Sequence, residues 1–190
     1  PNSEIAADAG IALGPKSSIA VDKALKTSDP NIFAAGDCAD SFHVVTGKRV
    51  WIPLALRANR AGWAVADNLV EPRVELPGIA GSAVFKVLDM EVARTGLSLD
   101  EALKEGFDAV DEVIKSRSRA HAHKGNQTIL VQLVADKKTG KLLGGSMVGR
   151  EGCAHRINSL AVALQAGMRL DEFFQSDMAY APPFSPVWDP

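Results

Sequence analysis

Asp37 is the residue best placed to do chemistry. It closes the stretch TSDPNIFAAGD at residues 27–37. The apolar run Ile32, Phe33, Ala34 and Ala35, framed by the Asp29-Pro30 turn signal and Gly36, predicts a short buried parallel strand. An aspartate just past such a strand sits where open α/β sheets bind ligands. Its carboxylate can accept hydrogen bonds from sugar-type hydroxyls. Ala34, Ala35 and Gly36 are small enough to let a ligand or a second backbone come close. The same residues also fit a buried strand ending in a plain Gly-Asp turn.

Lys115, Arg117, Arg119, His121 and His123 alternate at period two. If residues 115–123 are extended, all five share one face and form an anion-binding strip. Arg117, Arg119 and His121 are then the substrate candidates, able to hold phosphate groups. A solvated sheet face or an interface rim is the alternative. His121 and His123 have no third ligand nearby, so no metal site is expected. Tyr180 is the only tyrosine and lies in the Pro-rich stretch MAYAPPFSPVWDP, residues 178–190, beside Phe184 and Trp188. Interface packing is its plain reading. His43 reads as a loop residue and His155 as a helix-surface residue. Cys38 and Cys153 form neither a CxxC nor a metal-ligand spacing, which points to a reducing, cytoplasmic setting with Cys38 as a packed thiol.

These residues need elements to carry them. Residues 1–10 hold a short helical patch, Ile5, Ala6 and Ala9, closed by Gly10, and 19–21 read as a strand. Pro53 suits the first turn of a helix, because its missing N–H costs nothing there. Leu54, Ala58, Ala61, Val65 and Leu69 follow on one face, with Arg57, Arg60 and Asp67 off it and Pro72 as the stop. The N-terminus of such a helix favours an anion; an amphipathic packing helix is the alternative. Residues 71–78, EPRVELPG, mark the best domain boundary.

Beyond it, residues 83–88 and 91–95 read as one kinked strand. Ser98 caps a helix to Lys104, with Glu101 at capping-box spacing and Gly106 at its end. Residues 108–120, 127–135 and 141–149 read as strands, with a turn at 136–140, giving a small antiparallel sheet. Ile157, Leu160, Ala161, Leu164 and Met168 stripe a helix over 151–168 that Gly167 ends; a short helix at 170–175 and an irregular tail follow.

The 190 residues suffice for one or two domains with a core. Hydrophobic residues make up 46% and charged residues 23%, an ordinary globular balance. The 21 Lys+Arg against 23 Asp+Glu give a net charge of −2, which offers no footprint for nucleic acid. No apolar run reaches the length of a membrane span. The chain starts in mid-motif on Pro1 and carries no G-x-G-x-x-G, so it reads as part of a longer protein whose nucleotide fingerprints and redox cysteines lie upstream.

The T-x5-FAAGD pattern resembles the second FAD-binding motif of the pyridine nucleotide–disulfide oxidoreductases. The likeness continues through HVVTG at 43–47, the IPLA-x2-AN-x-AG pattern from Ile52, GREGCAHRINSLAVAL at 149–164 and the tail AYAPPFSPVWDP. The last two look closest to the coenzyme A-disulfide reductase, NADH oxidase and NADH peroxidase branch. The resemblance implies an α+β fold: a small antiparallel sheet with helices forming a dimerisation domain at 76–190. Before it, residues 1–75 would hold the end of the NAD(P)H domain and the last strand and helix of an α/β FAD-binding domain. It implies FAD as cofactor and NAD(P)H as co-substrate, with Asp37 and Gly36 at the ribityl chain and Ile52, Pro53, Leu54 and Ala55 at the pyrimidine edge of the flavin. It implies a homodimer whose tail carries Tyr180 to the partner's flavin site as the catalytic candidate, with a small disulfide, peroxide or oxygen as acceptor. The glutathione-reductase-type His-Glu pair is absent, and HAHKGN stands where coenzyme A relatives often carry aromatics. A non-catalytic dimerisation or anion-binding module is the rival of another class.

Overall fold

The computed structural model describes residues 1–71 and 73–190. The chain forms two compact units, Pro1–Gly81 and Ser82–Pro190.

The second unit is α+β, as expected. Its antiparallel sheet has the order β3-β4-β7-β6-β5, with β3 at Ala83–Val87, β4 at Met90–Gly96, β5 at Ala109–Arg117, β6 at Thr128–Asp136 and β7 at Leu142–Gly149. The kinked strand expected over 83–95 is instead a hairpin, β3 against β4, with Val87 facing Met90. Its turn passes through Leu88 at φ +53, a conformation that sequence signals assign to Gly or Asn. Helix α3, Leu99–Lys104, starts with the predicted capping box: the Ser98 side chain accepts from the Glu101 amide and Glu101 returns to the Ser98 amide.

Helix α4, Cys153–Ala166, packs across β4 and β7. It buries Ile157, Leu160 and Leu164, as its stripe predicts, along with Ala163, Cys153 and Arg156. Ala161 and Met168 are only half-buried. The close fit depends on small residues in β7. A Cβ on Gly145 would meet Leu160 Cδ2 at 2.7 Å, and one on Gly144 would run into the backbone of Leu97. The short helix α5, Leu170–Phe174, leads to the irregular tail.

The first unit has little regular structure. It contains helix α1 at Glu4–Asp8, a two-residue ribbon of β1 at Ser41–Phe42 with β2 at Arg49–Val50, and helix α2 at Ala55–Val70. The strands expected at 19–21 and 32–35 do not form. Ile19 bridges Leu13 and Ala39, and Phe33 bridges Lys26, each as an isolated pair. Ile32 is 41% exposed, so the apolar run is not a buried strand. Its turn-like pairing with Lys26 uses the hydrogen bonds a ladder would need: Thr27 N–H to Ile32 O and Ala34 N–H to Leu25 O.

The core of this unit gathers Val21, Leu25, Ala34, Ala61 and Ala64. Val74 and Leu76 pack against it, and Ile79 bridges His43. Helix α2 is rotated from its predicted face. Ala61, Ala64 and Asn68 are buried, Arg57 is half-buried and Leu69 is exposed. Pro53 lies before the helix rather than in it, because Leu54 holds an extended N-cap conformation. The stop predicted at Pro72 falls outside the described residues; the helix ends at Val70.

Among the described residues no helix is long and apolar enough to cross a membrane, and no three His, Cys, Asp or Glu cluster as metal ligands.

Candidate functional site

In the first unit, Gly36 and Asp37 from the loop meet Ile52, Pro53 and Leu54 from the lead-in to α2 around one small hollow. Ala39, Asp40, Ser41, Arg57, Ala58 and Ala61 complete its lining. Its volume of about 10 Å³ is that of a single water, so these residues form a wall of a site rather than an enclosure. Ala55 is exposed and does not line the hollow. Gly36 sits at φ +90 with open space where a Cβ would be, so glycine is needed here for the backbone turn rather than for room. The turn leaves the Asp37 side chain exposed and without a hydrogen-bond partner among the described residues, while Trp51 Nε1 donates to the Asp37 carbonyl at 2.8 Å.

The helix end facing this hollow is electropositive. No side chain caps α2, and its first turn has no acid. Arg57 stands there instead. Its Nε donates to Ser41 Oγ at 3.2 Å, while Nη1 is buried with no partner among the described residues. Burial pulls the Arg57 guanidinium below its ordinary pKa, against the opposing pull of Asp40.

Asp40, whose side chain is fully buried, is the structural aspartate of the GDCAD stretch. It accepts from the Val21 amide at 3.0 Å and from Arg49 Nη1 at 2.8 Å, and Arg49 stacks over Phe42 at 4.9 Å. Cys38 Sγ donates to Ala35 O at 3.3 Å, which fits a packed thiol. His43 is buried and its Nδ1 accepts from the Val45 amide.

In the second unit the predicted basic strip does not exist. β5 ends at Arg117, and Ser118 pairs with Gln127 while His123 N–H turns back to Ala120 O, so residues 118–126 form a loop. Arg117 and His121 are exposed and separated by this change of direction. Arg119 is occupied by a bidentate pair with Glu151, Nε to Oε1 at 2.6 Å and Nη2 to Oε2 at 2.7 Å, which holds the Glu151 carboxyl below its usual range. Cys153, buried in the first turn of α4, has its thiol pushed up to about 11 by burial and then by Glu91. Tyr180 is half-exposed on a cleft of about 530 Å³ that Phe173, Phe174, Met178 and Trp188 also line.

The family model described as "Pyridine nucleotide-disulphide oxidoreductase, dimerisation domain" matches residues 82–190, and that described as "Pyridine nucleotide-disulphide oxidoreductase" matches residues 1–62. The chain belongs to the pyridine nucleotide-disulphide oxidoreductases. It is 42% identical to the "NAD(P)H sulfur oxidoreductase (CoA-dependent)" of Pyrococcus furiosus, over 100% of this chain and 43% of that protein. To a "Coenzyme A disulfide reductase" of Staphylococcus aureus it is 30% identical, over 97% of this chain and 42% of that protein. It matches the solved NAD-dependent persulfide reductase of A. fulgidus at TM-score 0.97 and 37% identity, over 100% of this chain and 36% of that one. The chain thus spans about two fifths of the length of the curated relatives it matches.

Pyridine nucleotide-disulphide oxidoreductases depend on FAD and take NAD(P)H as co-substrate. The residues of the first unit fit FAD. Asp37 offers a free carboxylate to hydroxyls, and the uncapped end of α2, with its orphaned Arg57 nitrogen, offers positive potential to an anionic group.

Sequence reasoning missed Asp40, Arg49 and Arg57 here, and Arg156 and Asp189 in the second unit. A signal existed for Arg156. It falls at i−1 and i−4 from Ile157 and Leu160, inside the apolar stripe, where a charge demands a partner set. Asp40 carried no such signal, because its partners Val21 and Arg49 are identified only by the fold.

Proposed function

We propose that this chain is the part of an FAD-dependent NAD(P)H:disulfide or persulfide oxidoreductase that supplies one wall of the flavin site and the homodimer interface. One observation carries the reading: Gly36–Asp37 and Ile52–Leu54, separate in sequence, converge at the uncapped, acid-free N-terminus of α2. Bound FAD would relay electrons from NAD(P)H to the acceptor. Within that arrangement the Asp37 carboxylate accepts hydrogen bonds from the ribityl hydroxyls. Ile52, Pro53 and Leu54 present backbone and apolar surface to the ring edge, with Ala55 beginning the helix whose free N–H groups favour negative charge there.

A sulfur-linked acceptor is preferred over oxygen. Relatives named for CoA-dependent sulfur or persulfide reduction are 42% identical to this chain, whereas those named NADH oxidase are at 32% or less. Tyr180 is assigned to substrate binding or polarisation across the dimer: its ring is half-exposed and its hydroxyl is able to donate to a developing thiolate.

Asp37→Ala in the full-length protein tests the wall. Losing charged-acceptor hydrogen bonds worth about 1.5–3 kcal/mol each should weaken FAD binding by roughly tenfold or more with the fold intact. Flavin absorbance after dialysis reads the effect, and full occupancy in the mutant would sink the assignment.

A further inference from the structure

Arg156 brings a charge onto the buried face of α4, and its donors are spent on three separate segments. Nη1 donates to Gly152 O at 3.3 Å, just before α4. Nη2 donates to Ser118 O at 3.1 Å, where β5 gives way to the 118–126 loop. Nη2 also donates to Phe184 O at 3.3 Å and to Asp189 Oδ1 at 2.7 Å, and Nε reaches the same carboxylate oxygen at 2.9 Å. The Arg156 side chain is 9% exposed and that of Asp189 26%, so the pair is well shielded from water.

The tail is tied to the same loop independently of this guanidinium. Ala120 N–H donates to Pro182 O at 3.1 Å. Phe184 and Ser185 amides donate back to Ala181 O, closing a tight turn, and Trp188 stacks on Phe174 with centroids 5.6 Å apart. Tyr180 stands immediately before that turn. Among the described residues, only Arg156 contributes a side chain that hydrogen-bonds to both the loop and the tail.

We propose that Arg156 is a positioning residue: it locks the tail to the 118–126 loop and so presents Tyr180 in one arrangement. The proposal rests on the reading of Tyr180 given above. A planar fork is required, because three carbonyls and a carboxylate lie around one group; a lysine ammonium keeps the charge but cannot reach them together. Misplacing a reacting group by about 1 Å costs up to ~100-fold in rate, which is the scale on which a loosened tail should register.

The test uses the full-length holoenzyme and the variants Arg156→Met, Arg156→Lys, Asp189→Asn, Tyr180→Phe and the double variant R156M/Y180F. Hydrogen exchange of peptides covering 118–126 and 178–190 reads the lock, and steady-state kinetics reads its use. The Ala120, Phe184 and Ser185 amides should exchange about tenfold faster in R156M and D189N. Turnover of R156M should fall about 10–100-fold, toward that of Y180F, with the double variant no slower than Y180F and R156K between.

Two results overturn the proposal: unchanged tail protection in folded R156M, or effects of R156M and Y180F that multiply. Should R156M fail to fold, D189N opens the same lock from its outer side and decides by the same exchange criterion. Wild-type turnover in Y180F would remove only the catalytic reading of Tyr180. In that case faster tail exchange in R156M still upholds Arg156 as the anchor, and unchanged exchange removes it.

Discussion

In the second unit, every strand of the five finds its neighbours within the unit itself, and a helix covers the sheet through glycines that admit it closely. In the first, apart from the two-residue β1–β2 ribbon, extended residues meet as single bridges, and polar side chains add further ties. Asp40 ties Val21 to Arg49; Asn68 ties Ala24, Arg73 and Val74 to α2. The residues proposed to wall the flavin site sit in the side-chain-held unit. Ladders fix many residues at once, whereas single bridges and side-chain ties leave a turn such as Gly36–Asp37 open to a ligand.

The comparison breaks first at its strongest point. Gly144→Ala should cost about 3 kcal/mol or more, because the new Cβ meets the Leu97 backbone, which cannot rotate away as a side chain can. A thermal melt showing an unshifted transition would mean the sheet has slack that its geometry denies. Asn68→Ala tests the other unit. It leaves the Ala24 and Val74 carbonyls and the Arg73 and Val74 amides without their shared partner, and should cost about 2 kcal/mol. Amide exchange at Arg73 and Val74 measures it; if protection there survives, side chains do not hold the first unit together. The finest test is Ser98→Ala, which removes one half of the α3 capping box and should lower stability by about 1 kcal/mol, with faster exchange confined to the first turn of that helix. A change spreading into the first unit would blur the contrast.

The second unit was legible for a reason the contrast explains. Alternation, capping box and helix stripe are local signals, and its elements obey them: Ser98 and Glu101, Ile157, Leu160 and Leu164 stand where the pattern puts them. One misread element, the β3–β4 hairpin, turns at Leu88-Asp89 without a glycine, so no turn signal separates the strands. The first unit was misread where local pattern was the only guide. The apolar run before Gly36 looked like a strand, yet its amides and carbonyls are taken by residues 25 and 27. The stripe of helix α2 holds at Ala61 and Val65 but is turned toward Ala64 and Asn68, leaving Leu69 exposed. The convergence of Gly36–Asp37 with Ile52–Leu54 depends on neither reading, since the Gly36–Asp37 turn and the start of α2 are marked by residue type. The basic strip did not survive, because period two has meaning only while the chain stays extended.

The strand order β3-β4-β7-β6-β5 also bears on how quickly the second unit assembles. Two of its pieces are local: the β3–β4 hairpin, and the β5–β6–β7 meander. Pieces of this kind form on the order of 1–10 μs. The seam between them pairs Glu91 with Gly149 and Gly96 with Gly144, and it cannot close until the intervening chain has been gathered. Until then, β4 and the glycine-rich β7 are both open edges. The time this unit spends with the seam unsealed is therefore when it is most exposed to pairing with the wrong chain.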